Sequence, residues 1–393
     1  MIANPGDYYF CSQIIVMASD LFNRAFFLSG SYVLLGTGIV IILFFQLKFY
    51  LRLVLLKNKK EESFPPQSLS LLLSVRNEQD RIEKVLLQLL NQNFPDFEVV
   101  VVDDFSEDAT AVILGALAER YPQLKVRSLN QETRYSEKLS VNLALKAASY
   151  GWVLFVSPDT EDIPPDFLQQ LSGQISEKES LNLNYVNFRP QRGRYNKLCR
   201  IERFFSFMQS AAYSLSGVPV FFQQINILFP REFYFRSNGF RKKLNYHFAN
   251  MELVFNHLKK PTVSVSLNAE TNLREKVVLT RTDYNEVIRK RILLKKDLVW
   301  WKKLIMRIEY LSVFLALLGT GGLLILNPQR WYYYIIPVFV VFFIQVFIIK
   351  SLQNHLNEKK IFLSSLMYLV VKPIISFYHE TLIYIHMQRS KWI

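Results

Sequence analysis

The segment between residues 69 and 110 constrains the fold more than any other part of the chain. Its pattern predicts a buried strand over residues 69–73, an amphipathic helix, and a second buried strand over residues 99–102. The helix is indicated by apolar residues at helical spacing, namely Ile82, Val85, Leu86, Leu89 and Leu90. The second strand ends on two adjacent carboxylates, Asp103 and Asp104. Because α/β sheets bind nucleotides at the carboxyl ends of their strands, we expect a nucleotide site at this edge.

Two common nucleotide-binding loops are absent from this segment. It contains neither the GxGxxG pattern nor the Walker glycine loop, which excludes a dinucleotide fold of the usual kind and a P-loop NTPase. A purely structural alternative remains for the carboxylate pair, since Asp103 or Asp104 could cap the next helix.

The polar residues that follow the two strands resemble a known family. Asn77-Glu78 after the first strand, and Val-Val-Asp-Asp-x-Ser-x-Asp-x-Thr at the second, resemble the opening of a family 2 glycosyltransferase. The similarity extends over roughly residues 66–300. It implies a GT-A fold, an α/β domain with a Rossmann-like mixed sheet, and a nucleotide-diphosphate sugar as donor. The residues that it places at the nucleotide sugar are Asn77, Glu78, Asp103, Asp104, Lys138, Asn226 and Arg291.

The last three of these positions match the family in part. Lys138 precedes a helix where relatives carry a lysine that can reach a phosphate, although a solvated lysine at a helix start is an equal alternative. Asn226 matches an asparagine of the acceptor-side segment. Arg291 matches the arginine of a Gln-x-x-Arg-Trp motif in which Ile288 and Ile292 replace Gln and Trp. Such an arginine can pair with a diphosphate, and a basic juxtamembrane helix explains the same residues.

The metal-binding motif of the family is also altered. Relatives end the fourth strand with Asp-x-Asp, whose second carboxylate binds a divalent metal. Here Ser157 replaces the first carboxylate and Asp159 takes the second position, while Glu161 and Asp162 are either extra ligands or loop charges. Mg²⁺ needs few protein ligands when phosphates supply the rest. The resemblance therefore implies Mg²⁺ or Mn²⁺ at Asp159, bound more weakly than in relatives.

The general base that would activate the acceptor hydroxyl is in question. Asn250 occupies the expected position, and an amide cannot accept a proton at neutral pH. Glu252 and His247 are nearby, but alternate residues of a strand face opposite sides. Either can act only if the local backbone is not an extended strand, and Glu252 is our candidate for the catalytic base.

Apolar segments predict attachment to a membrane. Half of the residues are hydrophobic, and residues 25–47, 310–326 and 331–349 each predict a transmembrane helix. A buried helical hairpin is the alternative for the second and third segments. Residues 361–385 are apolar but contain Lys372-Pro373, which predicts broken helices that are interfacial or membrane-embedded. The first segment is too long and too far from the N-terminus for a cleaved signal peptide.

The net charge of +14 is concentrated beside these segments. Basic residues follow the first predicted span and precede the second, which is the positive-inside pattern. We therefore expect a multi-pass protein of the inner, cytoplasmic membrane, in contact with anionic lipids. A short N-terminal segment (1–24), a basic linker (48–67) and a cytoplasmic GT-A domain (68–300) complete the organisation. No nucleic-acid-binding motif is present, so no nucleic acid partner is expected.

Two functions of different classes follow. The favoured one is an inverting, membrane-bound glycosyltransferase that uses a nucleotide-diphosphate sugar, with UDP favoured by family habit, and a lipid-linked or membrane-proximal glycan acceptor. The alternative is an inactive pseudo-glycosyltransferase that acts as a binding or regulatory subunit, with a hetero-oligomeric partner. It is motivated by Ser157, Asn250, Ile288 and Ile292, which all fall on catalytic positions. A basic membrane scaffold without a nucleotide site is a weaker third possibility.

Overall fold

The chain contains two compact units. A computed structural model describes residues 5–56, 67–132, 136–175, 180–223, 225–246, 248, 251–258 and 261–389. The first unit comprises residues 1–51 and 301–348, and the second comprises residues 52–300 and 349–393.

The strands all belong to the second unit. They are β1 (Leu69–Val75), β2 (Phe97–Asp103), β3 (Leu124–Ser128), β4 (Trp152–Phe155), β5 (Thr160–Glu161), β6 (Ser180–Leu183), β7 (Val186–Phe188), β8 (Ile227–Pro230), β9 (Thr262–Val265) and β10 (Leu273–Glu275). Seven of these described strands form a sheet in the order β3-β2-β1-β4-β8-β6-β9, and the other three form a small sheet in the order β5-β10-β7. The large sheet is mixed, because β8 runs antiparallel to β4 and β6 while β1 is parallel to β2 and β4.

The helices are distributed over both units. They are α1 (Pro5–Phe45), α2 (Arg52–Val54), α3 (Ile82–Leu90), α4 (Thr110–Arg120), α5 (Ser136–Ala147), α6 (Phe167–Ser172), α7 (Arg194–Leu215), α8 (Glu232–Arg236), α9 (Glu252–Phe255), α10 (Arg281–Asp297), α11 (Trp300–Leu326), α12 (Trp331–His355) and α13 (Phe362–Arg389). A π-helical stretch, Gln46–Leu51, continues α1 into α2.

The register of the central strands determines where the site can form. Val75 at the end of β1 lies opposite Asp103 at the end of β2, and Leu72 of β1 pairs with Phe155 at the end of β4. The central residues of these strands are fully buried, as expected for parallel strands covered on both faces. Three strands therefore deliver their following loops to one edge of the sheet, as the sequence predicted.

The first unit is held together by close helix packing. An added Cβ at Gly319 of α11 would lie 2.4 Å from the backbone nitrogen of Leu35 in α1, and one at Gly38 would lie 2.5 Å from that of Ala316. Gln46 also donates a 2.8 Å hydrogen bond to the backbone carbonyl of Val341. Small residues at the contact let the helix backbones approach, which is how helices associate in lipid.

Four described helical segments are long and apolar enough to cross a membrane. They are Asn23–Val54, Trp300–Leu326, Pro328–His355 and Phe362–Ile385. The helix of the first begins at Pro5, within the predicted N-terminal segment, and the predicted linker is helical as far as Val54. Residues 57–66 of that linker lie outside the described residues.

The prediction of broken helices over residues 361–385 is wrong, because α13 is one continuous helix that contains Pro373. Its two halves are anchored to the same surface of the second unit. Tyr368 before the proline donates a 2.6 Å hydrogen bond to Glu202, and Ile383 after it packs in an apolar cluster with Cys199. Large apolar side chains are exposed along α13 at helical spacing, namely Leu363, Met367, Val370, Ile374 and Phe377.

Candidate active site

The loops after β1 and β2 are joined by hydrogen bonds between the residues of the sequence motif. The backbone N–H of Asn77, which has a φ of 53°, donates to Ser106 Oγ at 2.9 Å, and Asn77 Oδ1 accepts from the N–H of Glu107 at 2.9 Å. The N–H of Glu78 donates to Thr110 Oγ1 at 2.8 Å. Much of the motif therefore shapes the edge on which a nucleotide would rest.

The carboxylate pair Asp103 and Asp104 is buried, each residue being only 4% exposed. Asp103 Oδ1 accepts hydrogen bonds from the N–H and hydroxyl of Ser106, at 3.2 and 2.5 Å. The N–H of Asp104 donates to the carbonyl of Val75 at 2.8 Å, across the ends of the two strands. Asp103 thus closes the turn after β2 and does not cap the next helix, because the N-cap residue of α4 is Ala109 and no side chain caps it.

A cavity of about 210 Å³ lies beside the end of β4. Its walls come from the end of β4, from β7 and β10, from α7 and α10, and from the start of α9. The charged residues that line it are Arg203, Glu252, Glu275, Lys290 and Arg291. The cavity therefore combines carboxylates and cations in an enclosure that also contains Ser157 and Pro158, immediately before Asp159.

Glu252 lies on the wall of this cavity, at the first residue of α9. It is 1% exposed, and the preceding Met251 is already in the right-handed helical conformation. The local backbone is thus a helix start and not an extended strand, which is the condition that the sequence set for this candidate base. Asn250 and His247 lie outside the described residues.

Arg291 also lines the cavity and is held in place by α7. Its guanidinium pairs with Glu202, donates to Gln209 Oε1 at 2.9 Å and lies 5.6 Å from the centroid of the Phe222 ring. Burial alone would raise the pKa of Glu202, but the charge of Arg291, with further favourable contacts, outweighs it and lowers the pKa to about 2. The remnant of the Gln-x-x-Arg-Trp motif is therefore a buried ion pair at the cavity wall.

Asp159 lies where several carboxylates converge. Its side chain pairs with Arg81, and its N–H donates to Ser157 Oγ at 3.2 Å. Burial and then the charge of Glu275 raise the pKa of Asp159 above its ordinary value. Burial and then the charge of Asp159 likewise raise the pKa of Glu78.

A divalent cation fits this arrangement if it takes most of its ligands from elsewhere. Among the residues that the structure describes, no group of three or more His, Cys, Asp or Glu side chains is arranged to hold a metal ion. Burial and, after it, the charge of Glu275 raise the pKa of Asp159, and a cation bound to Asp159 would offset both effects. Asp159 can supply one ligand oxygen, and a diphosphate can supply others.

Of the nine predicted site residues, Glu252 and Arg291 line this cavity, whereas Asn77, Glu78, Asp103, Asp104, Asp159, Lys138 and Asn226 do not. Lys138 is buried, donates to the carbonyl of Tyr246 and lines a separate cavity of about 420 Å³ together with Arg241. Burial lowers the pKa of its ammonium group. Asn226 is fully buried with a φ of 61°. Its amide donates to two backbone carbonyls, those of Tyr185 at 2.9 Å and Thr271 at 2.8 Å. It therefore supports the chain before β8.

Three charged residues at the site were not anticipated from the sequence. Arg203 of α7 pairs with Glu275 of β10, and both line the cavity. Arg81 pairs with Asp159. The available signal was weak: Arg203 interrupts a stripe of aromatic residues, and a charge in such a stripe suggests a polar contact inside the fold.

Comparison with known families identifies the domain. Residues 70–237 match the model of glycosyl transferase family 2. This segment is a family 2 glycosyltransferase domain. The match confirms the family and the α/β fold class that the motifs after β1 and β2 predicted.

Relatives of known activity are similar to this chain over part of its length. A poly-β-1,6-N-acetyl-D-glucosamine synthase of Staphylococcus epidermidis is 25% identical over 123 residues, 31% of this chain and 28% of that protein. A β-monoglucosyldiacylglycerol synthase of Synechocystis is 31% identical over 109 residues, 27% of this chain and 22% of that protein. The chain thus matches about a quarter of the length of each of these relatives.

A solved structure shares the fold over a longer stretch. A mannosyltransferase from Pyrobaculum calidifontis, in complex with GDP-Man and Mn²⁺, superposes with a TM-score of 0.52 at 15% identity. The superposition covers 85% of this chain and 99% of that one, and it shows the GT-A fold of the glycosyltransferase domain.

Proposed function

We propose that the chain is a membrane-anchored transferase that moves a hexose, with inversion, from a nucleotide-diphosphate sugar to a lipid-linked or membrane-proximal glycan. The observation that carries this proposal is the cavity beside Asp159, which contains a buried carboxylate, Glu252, and three cations. The name of the Synechocystis relative, a β-monoglucosyldiacylglycerol synthase, supports a lipid acceptor. The four apolar helices support membrane attachment, and the basic residues beside them favour an inner-membrane protein whose domain faces the cytoplasm.

In the proposed reaction, the carboxylate of Glu252 and the three cations of the cavity have different tasks. Glu252 accepts the proton of the acceptor hydroxyl as its oxygen attacks the anomeric carbon. The bond from that carbon to the diphosphate breaks on the opposite side, and Arg203, Lys290 and Arg291 stabilise the departing negative charge. Asp159 would hold Mg²⁺ or Mn²⁺, which supplies further charge neutralisation at the diphosphate when bound. Asp103 and Asp104 shape the nucleoside end of the site.

Nucleotide binding is the first test of this proposal. Calorimetric titration of UDP and of GDP into the purified full-length protein, with and without Mn²⁺, should show metal-dependent binding, tighter for UDP. Binding should be lost in the Asp104→Asn, Asp159→Asn double variant. Asp162→Asn is a matched control, because this exposed carboxylate pairs with Arg189 and should leave binding unchanged. If neither nucleotide binds to the wild type, the proposed function is wrong.

Turnover distinguishes the transferase from the pseudoenzyme. Release of nucleoside diphosphate from UDP-sugars, in the presence of a membrane lipid extract, should fall about 10²–10⁴-fold in Glu252→Gln, the usual cost of losing a general base. Nucleotide affinity should be unchanged in this variant. A wild type that binds nucleotide without turnover, together with activity that appears in Asn250→Asp, would instead favour the inactive subunit and its partner.

A further inference from the structure

A carboxylate from the connection between α12 and α13 is buried inside the glycosyltransferase domain. The side chain of Glu358 is fully buried and is surrounded by four donors. Tyr185 Oη lies 2.9 Å from it, Asn187 Nδ2 3.0 Å and Arg200 Nη2 2.5 Å, and Arg274 is the fourth donor. All of these residues belong to the second unit.

The same two guanidinium groups also bind the backbone of this connection. Arg200 donates to the carbonyl of Lys359 at 3.0 Å, and Arg274 donates to the carbonyl of Leu356 at 2.9 Å. The turn over residues 356–359 is therefore fixed by both its side chain and its backbone.

The four donors are neighbours of residues that line the active-site cavity. Val186, Arg203 and Glu275 line the cavity. Tyr185 and Asn187 are the two neighbours of Val186, which is the first residue of β7. Arg200 lies one turn before Arg203 in α7, and Arg274 directly precedes Glu275 in β10. Glu358 thus bonds to all three elements that carry this wall. Arg203 is further fixed by its pair with Glu275 and by the Phe188 ring, 3.6 Å from its guanidinium carbon.

Stability alone does not require such a carboxylate. Buried ion pairs can often be replaced by apolar residues without loss of stability, because the desolvation of both charges opposes their attraction. What an apolar residue cannot provide is the set of directed bonds from one carboxylate to β7, α7 and β10. These bonds fix the spacing of the three elements.

We propose that Glu358 is a positioning residue of the active-site cavity, which sets the geometry of Arg203 and Glu275 around the donor diphosphate. The inference rests on the proposed function for the identity of the ligand. A displacement of about 1 Å in groups that position a substrate can cost about 100-fold in rate. Residues that follow α12 would thus support a site whose walls lie within residues 74–294.

The test compares Glu358→Gln with a matched variant at the opposite edge of the sheet. Glu98, near the amino end of β2, is 3% exposed and accepts from Ser70 Oγ at 2.6 Å and from the N–H of Ser149 at 2.5 Å. It also pairs with Lys125 at 2.5 Å. Glu98→Gln therefore removes a buried, hydrogen-bonded charge of the same kind, but far along the strand from the cavity.

Two measurements on the full-length variants decide the inference. Amide hydrogen exchange should increase in residues 186–188, 203–206 and 273–276 in Glu358→Gln, and should not increase there in Glu98→Gln. The affinity for a UDP-sugar, or kcat for its turnover, should fall about 10–100-fold in Glu358→Gln only. Increased exchange confined to residues 356–361, or equal donor affinity in the two variants, would overturn the positioning role.

A gentler variant guards against loss of folding. Tyr185→Phe removes one hydrogen-bond donor from Glu358. The affinity for the UDP-sugar should fall about fivefold, which corresponds to the free energy of one hydrogen bond. Wild-type affinity in this variant, with unchanged exchange at residues 273–276, would contradict the inference. If the wild type binds neither nucleotide, the proposed function fails, whereas the exchange pattern still decides whether Glu358 orders the cavity wall.

Discussion

The buried pair of Glu202 and Arg291 makes a quantitative prediction about stability. The pKa of Glu202 is lowered from its ordinary value of 4.5 to about 2. Since a tenfold change in proton affinity corresponds to about 1.4 kcal/mol, the charged form contributes about 3 kcal/mol to folding at neutral pH. Breaking a buried pair by removal of one partner costs a similar amount, about 3–5 kcal/mol. The free energy of unfolding should therefore be about 3 kcal/mol lower in Glu202→Gln than in the wild type.

The pH dependence follows from the direction of the shift. The unfolded chain binds a proton at Glu202 near pH 4.5, whereas the folded chain resists it until about pH 2. The contribution of Glu202 is therefore complete above pH 4.5 and is lost as the pH falls toward 2. Thermal unfolding of the detergent-purified protein should show a Tm lower by roughly 4–5 °C in Glu202→Gln at pH 7. This difference should shrink between pH 4.5 and pH 2.

Two further variants make the reasoning refutable. Glu232→Gln removes an exposed carboxylate 3.6 Å from Arg236, and it should change stability by less than about 1 kcal/mol. The double variant Glu202→Leu, Arg291→Met should be more stable than Glu202→Gln, because it leaves no buried charge without its partner. A Glu202→Gln protein with the wild-type Tm, or a difference independent of pH, would refute the assignment of this stability to the ion pair.

Two other predictions concern the packing of each unit. Gly319→Ala should destabilise the first unit by about 1–3 kcal/mol, because its Cβ would meet the backbone of Leu35, whereas Gly36→Ala has open space and should be neutral. Thermal unfolding in detergent measures both, and equal Tm values would contradict the close contact. Asn226→Ala should lower the free energy of unfolding by about 2–4 kcal/mol, because two buried carbonyls lose their hydrogen-bond donor. Asn226→Gly should lower it less, because glycine tolerates the positive φ at this position. Denaturant unfolding tests this order, and an alanine variant more stable than the glycine variant would contradict it.

Local patterns were sufficient to predict the elements that form the site edge. Alternating strand and helix patterns predicted β1, α3 and β2 because each pattern is repeated within a few residues. Glu252 could be proposed as the base from the sequence, but its placement at the start of a helix could not. With only four residues, α9 is too short for a helical period to be detected in the sequence.

Contacts between distant residues could not be predicted in the same way. Arg291 was expected to be at the diphosphate, but its partner Glu202 is 89 residues away and no local pattern joins them. The continuity of α13 was missed because Lys372-Pro373 is a local signal for a break, whereas the anchoring of both halves is tertiary. In a single sequence, the two partners of such a contact are seen only as separate residues, with nothing that indicates their pairing.

The motif after β2 needs a different interpretation once its hydrogen bonds are known. Asp103, Ser106 and Thr110 all bond within the two loops, so folding alone requires them. A chain that had lost catalysis but still folded would keep these residues. Activity is therefore better judged from Glu252 and Asp159 than from the motif.

The burial of Glu358 has a practical consequence for the preparation of shortened fragments. The family match ends at residue 237, yet the compact unit includes residues 349–393. A fragment that stops at residue 300 would keep Arg200 and Arg274 but lose the carboxylate that neutralises them. Because uncompensated buried charge costs several kcal/mol, such a fragment should misfold or aggregate. A stable fragment of the transferase domain would have to be joined from two separate stretches of this sequence, the second of which contains the apolar helix α13.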